Sequence, residues 1–289
     1  MRHYHGMDTL SSDRTAGTTC SKWRVRCRLT TVTMKMKNLI EFVNAASLTP
    51  SIESDFPQPG MLLLVSPPGA MKTTAIQIAL AGAPDALVLT DVTTRGLNDM
   101  RSYFSGVKPR YRTLGLPDFD KLFQRNQTIT ANILGNLRNL CHDGFSHMNH
   151  EDQTMCVAKA KALVIAACTQ RTYEQNYIDW KDGGLGRRML RVSFTLGAYE
   201  ETMEAAAADR RVPFNEQLIR QFPARTKVPL TAAEEDLVKK QAKAQGPDAV
   251  ILARKIYCVL KAAKGAKCGQ QIFRDAMTGA GAEPATLFF

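Results

Sequence analysis

Paired cysteines, long apolar runs and acidic residues are all scarce in this sequence. No Cys-x-x-Cys occurs, and the seven cysteines (Cys20, Cys27, Cys141, Cys156, Cys168, Cys258 and Cys268) are odd in number and scattered. That pattern argues against a disulfide framework or a zinc ribbon and for a reducing cytosol. No apolar run approaches the roughly 20 residues a membrane helix needs, so no membrane partner is expected. The first residues carry no secretory apolar core, and no internal repeat is visible. Acidic residues are outnumbered, 27 against 38 Lys and Arg, which leaves a net charge of +11. Such a balance favours polyanionic partners, DNA first. The plainer reading is a basic enzyme with its charge spread over the surface.

Apolar and charged residues are present in ordinary globular proportion, 44% hydrophobic and 22% charged over 289 residues. This is enough chain for one large domain, with or without a small appendage. The organising stretch is Met61 to Leu80, MLLLVSPPGAMKTTAIQIAL. It reads as an apolar strand, a tight Pro/Gly loop, a Lys-Thr pair and a helix. The phosphate-loop pattern G-x-x-x-x-G-K-[ST] is present with two departures, because Ser66 and Met71 stand where the glycines belong. Successive backbone N–H groups of such a loop curl around an anion at the positive end of the following helix. The cradle would comprise Pro67, Pro68, Gly69, Ala70, Met71, Lys72, Thr73 and Thr74. Lys72 would reach the outer phosphates, and Thr73 would hold Mg²⁺ through its hydroxyl. Met71 is the serious departure, since a side chain is expected where backbone approaches the phosphates. A strand-loop-helix junction with a chance Lys-Thr is the bland alternative.

Residues 1–36 read as a disordered basic segment, Ser/Thr/Arg-rich and without a helical apolar stripe. A nucleic-acid-binding arm, a solvated tail, a start codon placed too early and a transit peptide all compete there. A short helix over Lys37–Ala46 follows, then a Pro-rich loop to Gly60, placed where adenine contacts often lie. Further strands are expected at Ala86–Thr90, Arg112–Leu116, Ala162–Ala167 and after Arg188, with helices at Arg95–Tyr103 and Thr128–Cys141. Asp118, at the end of the Arg112–Leu116 strand, is the first choice for the carboxylate that orders Mg²⁺, with Asp120 second and Asp91 a rival. The bland role for Asp118 and Asp120 is helix capping. Phe119 occupies the place where hydrolytic enzymes carry Glu, so Asp120 becomes the candidate to polarise water. Thr169, at the next strand tip, is placed to lie beside a γ-phosphate. Arg187 and Arg188 could contact the γ-phosphate of their own or a neighbouring subunit. Cys141, His142, His147, His150 and Cys156 match no defensible zinc spacing.

From residue 205 the texture becomes helical and basic. Thr231–Glu234 is a capping box, Pro247-Asp248 opens another helix, and a last helix is expected over Gln270–Met277. The expected division is 1–36, a nucleotide-binding domain at 37–204, a helical lid or helix-turn-helix-like region at 205–278, and a flexible tail at 279–289.

The order of these signals (Lys72-Thr73, Asp118, Thr169, Arg187/Arg188, helical tail) resembles the AAA+ class of P-loop ATPases, most of all the small ATPases of bacteriophages and mobile elements. The resemblance spans residues 38–245. It implies an α/β three-layer P-loop sandwich with a mostly parallel five-stranded sheet. It implies ATP and Mg²⁺, and a homo-oligomer in the bacterial or phage-infected cytoplasm. In that family Lys72 and Thr73 would form Walker A, Asp118 Walker B and Thr169 sensor 1, and Arg187 or Arg188 the finger or second sensor. The function implied is ATPase action on DNA in replication, recombination or packaging. A nucleotide-dependent switch or scaffold with little hydrolysis is the alternative, motivated by Met71 and Phe119, and a P-loop kinase is a third.

Overall fold

The computed structural model describes residues 32–81, 83–106, 108–144, 159–196 and 226–278. Six strands lie within them: β1 (Val32–Met34), β2 (Met61–Ser66), β3 (Ala86–Val88), β4 (Thr113–Leu116), β5 (Leu163–Thr169) and β6 (Met189–Leu196). The helices are α1 (Met36–Ser47), α2 (Lys72–Leu80), α3 (Thr94–Asp99), α4 (Gln127–Cys141), α5 (Gln170–Asp182), α6 (Ala232–Ala242) and α7 (Pro247–Thr278). The sheet order is β1-β6-β2-β5-β4-β3, and every pairing is parallel.

A central parallel strand is covered on both faces, so it needs apolar side chains on both. This is why MLLLV shows no alternation: every residue of β2 is buried. Leu62 and Leu64 join one core cluster with α1, α2, α6 and α7, while Met61, Leu63 and Val65 join the other with α3, α4 and α5. β5 divides its residues the same way. The result is the expected α/β three-layer sandwich, a parallel sheet between two helical layers, with a C-terminal helical region. Each Leu or Ile that is fully buried contributes roughly 1.5–3 kcal/mol, so these two strands anchor both layers.

The five expected core strands are present, and a sixth extends the sheet. Val32–Met34 pairs with Phe194–Leu196 at its edge, within a segment expected to lack structure. Three residues are too short for a hydrophobic period, and it is tertiary pairing that makes them a strand. Residues 1–31, 197–225 and 279–289, with the readings made on them, lie outside the described residues. The helix expected at Arg95–Tyr103 is α-helical only to Asp99 and continues as a 3₁₀ turn over Met100–Phe104.

The capping box forms: the Thr231 hydroxyl accepts from the Glu234 amide, and Glu234 accepts from the Thr231 amide at 2.7 Å. Lys261 donates to the same carboxylate at 2.7 Å, and these bonds, Lys261's foremost, hold Glu234 at about 2. Helix α7 kinks at Gly265, whose φ of 77° is the left-handed region glycine tolerates. Past the kink, Gly269 turns its bare Cα to the end of the preceding helix. A Cβ there would lie 2.7 Å from the backbone carbonyl of Leu260. Backbone cannot rotate away as a side chain does, so Gly269→Ala should destabilise the protein by about 1–3 kcal/mol. A lowered urea midpoint with an unchanged m-value checks this. An unchanged midpoint would mean that the two halves of α7 are free to separate.

Candidate functional site

Parallel strands bring their carboxyl ends to one edge, and ligands of open α/β sheets bind there. In register, Ser66 of β2 lies opposite Thr169 of β5, and Leu116 of β4 opposite Ala166. Residues 66–73, Asp118, Asp120 and Thr169 therefore emerge side by side.

The loop between β2 and α2 is built around two left-handed residues, Gly69 at φ 78° and Met71 at φ 53°. They flank Ala70, whose amide donates to the Pro67 carbonyl at 3.4 Å, and tight backbone of this kind before a helix can present N–H groups to an anion. Pro67 and Pro68 supply no N–H, so the donors come from Gly69 onward and from the first turn of α2. Met71 is the one non-glycine residue with positive φ among the described residues. Its side chain packs against the α1/α2/α7 core cluster. The sequence-based objection, a side chain crowding the phosphate position, thus meets a different geometry: the strain is kept and the side chain goes to the core. Left-handed backbone costs an L-residue about 1–2 kcal/mol.

Lys72 is 8% exposed and bends back, donating from Nζ to the carbonyls of Ser66 at 3.1 Å and Pro67 at 3.0 Å. Burial draws its ammonium pKa below the ordinary value, and the carboxylate of Asp120 opposes the fall. The hydroxyl of Thr73 donates to Oδ1 of Asp118 at 3.1 Å. Asp118 precedes a 3₁₀ turn without capping it, and its second oxygen accepts from Lys121 at 3.1 Å. Asp120 accepts from both groups of Thr169, the amide at 3.0 Å and the hydroxyl at 3.2 Å. Thr169 in turn caps α5 by accepting from the Thr172 amide. The capping role considered for the two aspartates falls instead to Asn126, whose side chain accepts from the Thr128 amide at the start of α4.

Four expected positions thus converge: Lys72, Thr73, Asp118 and Asp120, with Thr169 beside them. Thr74 sits in the first turn of α2. Lys121 and Thr172 were not singled out in the sequence, although Lys121 stands three residues from Asp118, a spacing that brings side chains together in one turn. Asp91 is displaced from the site. It lies three residues past β3, at the far edge of the sheet, and its carboxylate pairs with Arg125.

Arg187 and Arg188 are displaced too. β6 runs parallel to β2 with Met189 opposite Met61. Both arginines therefore lie at the amino edge, roughly 17 Å of strand from Ser66 at ~3.3 Å per residue. Contact with a phosphate held by their own loop is ruled out by strand polarity. Arg188 donates to the Gly184 carbonyl at 2.8 Å and lies 3.9 Å from Asp143, whereas Arg187 is exposed. The Pro-rich loop before Gly60 is at this same amino edge, so its expected adenine contact fails for the same reason.

Phe119 is buried, its ring 5.3 Å from Phe123 and 6.0 Å from Trp180. It fills the core under the 3₁₀ turn and faces away from the loop. Among the described residues no group of three or more His, Cys, Asp or Glu could hold a metal ion. Cys141 is buried, a setting that pushes its thiol up to about 12, and His142 pairs with Asp143 at 2.7 Å. His147, His150 and Cys156 lie outside the described residues. Among the described residues no helix is long and apolar enough to cross a membrane.

No family model matches this chain, and no curated protein does. Among solved structures, one described as an active helicase, the SCCmec type IV Cch protein, is similar in shape. It shares 12% identity at a TM-score of 0.43, covering 84% of this chain and 44% of its own. This chain therefore spans less than half the length of that protein. At this distance the likeness carries no statement of what this chain binds or does.

The strain at residue 71 gives a direct test. Met71→Gly removes the left-handed cost but also a core contact and some rigidity of the unfolded chain, so stability should change by less than about 1 kcal/mol. Affinity for inorganic triphosphate, measured by calorimetry, should not fall, because the backbone cradle is retained. A loss of tenfold or more would mean that Met71 itself shapes the cradle.

Proposed function

We propose that this chain binds ATP at the 66–73 loop and hydrolyses it as an AAA+-like ATPase acting with DNA, of the kind encoded by phages and mobile elements. The observation that carries the reading is the convergence of Lys72, the Thr73–Asp118 pair and the Asp120–Thr169 pair at the carboxyl ends of three adjacent strands. A chance Lys-Thr would not need the turn after β4 to bring one aspartate to Thr73 and a second to the tip of β5.

The phosphates would sit over the N–H groups of residues 69–73, with Lys72 moving from the loop carbonyls to the outer phosphate oxygens. A hydroxyl beside a carboxylate is a hard-oxygen donor pair that suits Mg²⁺, and Thr73 with Asp118 would hold it. Bound there, the ion would supply charge neutralisation on the phosphates. In hydrolysis a water oxygen bonds to the γ-phosphorus, the bridging P–O bond breaks, and ADP leaves with the electron pair. Asp120 is the carboxylate placed to take the water proton, with Thr169 holding its orientation. Arg187, exposed at the opposite edge, would serve a neighbouring subunit's phosphate in a homo-oligomer, where an arginine supplied in trans stabilises the developing charge.

A switch with little hydrolysis is the second reading, and Phe119 favours it. The residue at the usual glutamate position is committed to the Phe123–Trp180 cluster, and Asp120 already accepts three bonds.

Phosphate release from Mg·ATP separates the two. Under the ATPase reading the wild type turns over, Lys72→Ala loses at least about 10²-fold, and Asp120→Asn loses about 10²–10⁴-fold with ATP still bound. Unchanged turnover in Lys72→Ala would sink the ATPase assignment. ATP binding by the wild type without release would establish the switch.

A further inference from the structure

The edge of the sheet opposite the 66–73 loop carries a cavity of about 560 Å³, within the roughly 300–1,000 Å³ usual for ligand sites. It opens where β2, β4 and β5 begin. Arg112 and Lys161, one and two residues before β4 and β5, line it together with Lys255 of α7. Phe56, Pro57 and Pro109 form apolar walls. Glu53, also in the lining, lies 3.7 Å from Lys227, which offsets its charge.

The Phe56 ring is 52% exposed at the rim. Its backbone is fixed from below: Lys255, itself 5% exposed, donates to the carbonyls of Phe56 at 2.7 Å and Gln58 at 2.8 Å. A buried ammonium is costly unless hydrogen-bonded, so this cation acts as the support that presents the ring. The second exposed aromatic ring among the described residues, Tyr103, belongs to the same edge. Its carbonyl accepts from the Tyr111 amide at 2.9 Å, and the neighbouring Phe104 carbonyl accepts from the Lys161 backbone amide at 3.1 Å. The guanidinium of Arg110 lies over the Tyr103 ring at 5.4 Å. Asp85 is the nearby acid that feels Arg112: burial pushes its carboxyl up, and the Arg112 guanidinium opposes the rise.

Exposed rings beside cations in a cleft are what a single nucleic-acid strand requires: bases stack on aromatic faces while phosphates meet Lys and Arg. We propose that this amino-edge cleft binds single-stranded nucleic acid, with Phe56 stacking a base and Arg112 and Lys161 contacting its phosphates. Lys255 is a positioning residue for Phe56. The inference rests on the reading that the chain acts with nucleic acid, and it places that contact on the face away from the nucleotide loop.

The test is fluorescence anisotropy of a labelled oligo-dT with the full chain, alongside binding of a fluorescent ATP analogue. Phe56→Ala, Arg112→Ala and Lys161→Ala should each weaken oligonucleotide binding about tenfold. Each cation removed should flatten the salt slope by about 0.7, and ATP-analogue affinity should not move. Thermal melts of each variant separate misfolding from lost contact. Oligonucleotide binding that persists unchanged in all three folded variants would overturn this placement and leave the nucleic-acid reading standing. A wild type that binds the ATP analogue but no oligonucleotide would overturn both. Weakening by an acidic peptide competitor alone, with oligo-dT unaffected by the three substitutions, would assign the cleft to a protein partner and overturn the inference.

Discussion

The parallel register between β2 and β5 is the constraint on which the site depends. Leu62 faces Ile165, Leu64 faces Ala167, and Ser66 faces Thr169. Because successive side chains alternate between faces, a slip of one residue would exchange the contents of the two helical layers. The matching register of β4 on β5 keeps Thr169 beside Asp120, whose bonds need the strand tip and the 3₁₀ turn after β4 at one level. The apolar identity of these residues therefore does two things at once. It selects the register by burial, and the register then sets which polar groups meet at the edge.

That edge can carry polar chemistry because the apolar work is done beneath it. Phe119, Phe123 and Trp180 pack together under the turn that presents Asp118 and Asp120. A glutamate at 119 would have to leave this cluster or bring a carboxylate into it, and burying an unpaired charge is strongly unfavourable. The absence of an acid at 119 is thus tied to how this turn is anchored, and it leaves Asp118 and Asp120 as the acids of the turn.

Much of this could be read from the chain alone, and the parts that could not share a cause. The β2 run, the Lys72-Thr73 pair, the strand-end Asp118 and the capping box at Thr231 are local patterns, and each appears where its local physics places it. Met71, Arg187 and Val32–Met34 are decided by tertiary geometry. Met71 looked obstructive because its left-handed backbone, which sends the side chain into the core, has no signature in sequence. Arg187 and Arg188 looked near a phosphate because strand number was visible and strand polarity relative to the loop was not weighed. Parallel pairing puts the start of one strand beside the start of the next, so residues before β6 belong with residues before β2.

The same polarity bears on how the loop would engage a phosphate. Lys72 is satisfied by the Ser66 and Pro67 carbonyls, Thr73 by Asp118, and Asp120 by Thr169. Each such bond is worth about 0.5–1.5 kcal/mol net, and a triphosphate must displace the first two sets to make its own. Binding strength is then the difference between charge-assisted bonds to phosphate, about 1.5–3 kcal/mol each, and the internal bonds given up. The Asp120–Thr169 pair need not break for binding, since neither partner is required to hold the phosphates. Asp120 can accept a proton from water only if it retains a free acceptor direction, and a carboxylate has about four such directions. Thr169 supplies three bonds, two to Oδ1 and one to Oδ2, which leaves one of the four on Oδ2. On the proposed ATPase reading, affinity would be governed by what Lys72 and Thr73 release, and turnover by what Asp120 keeps free.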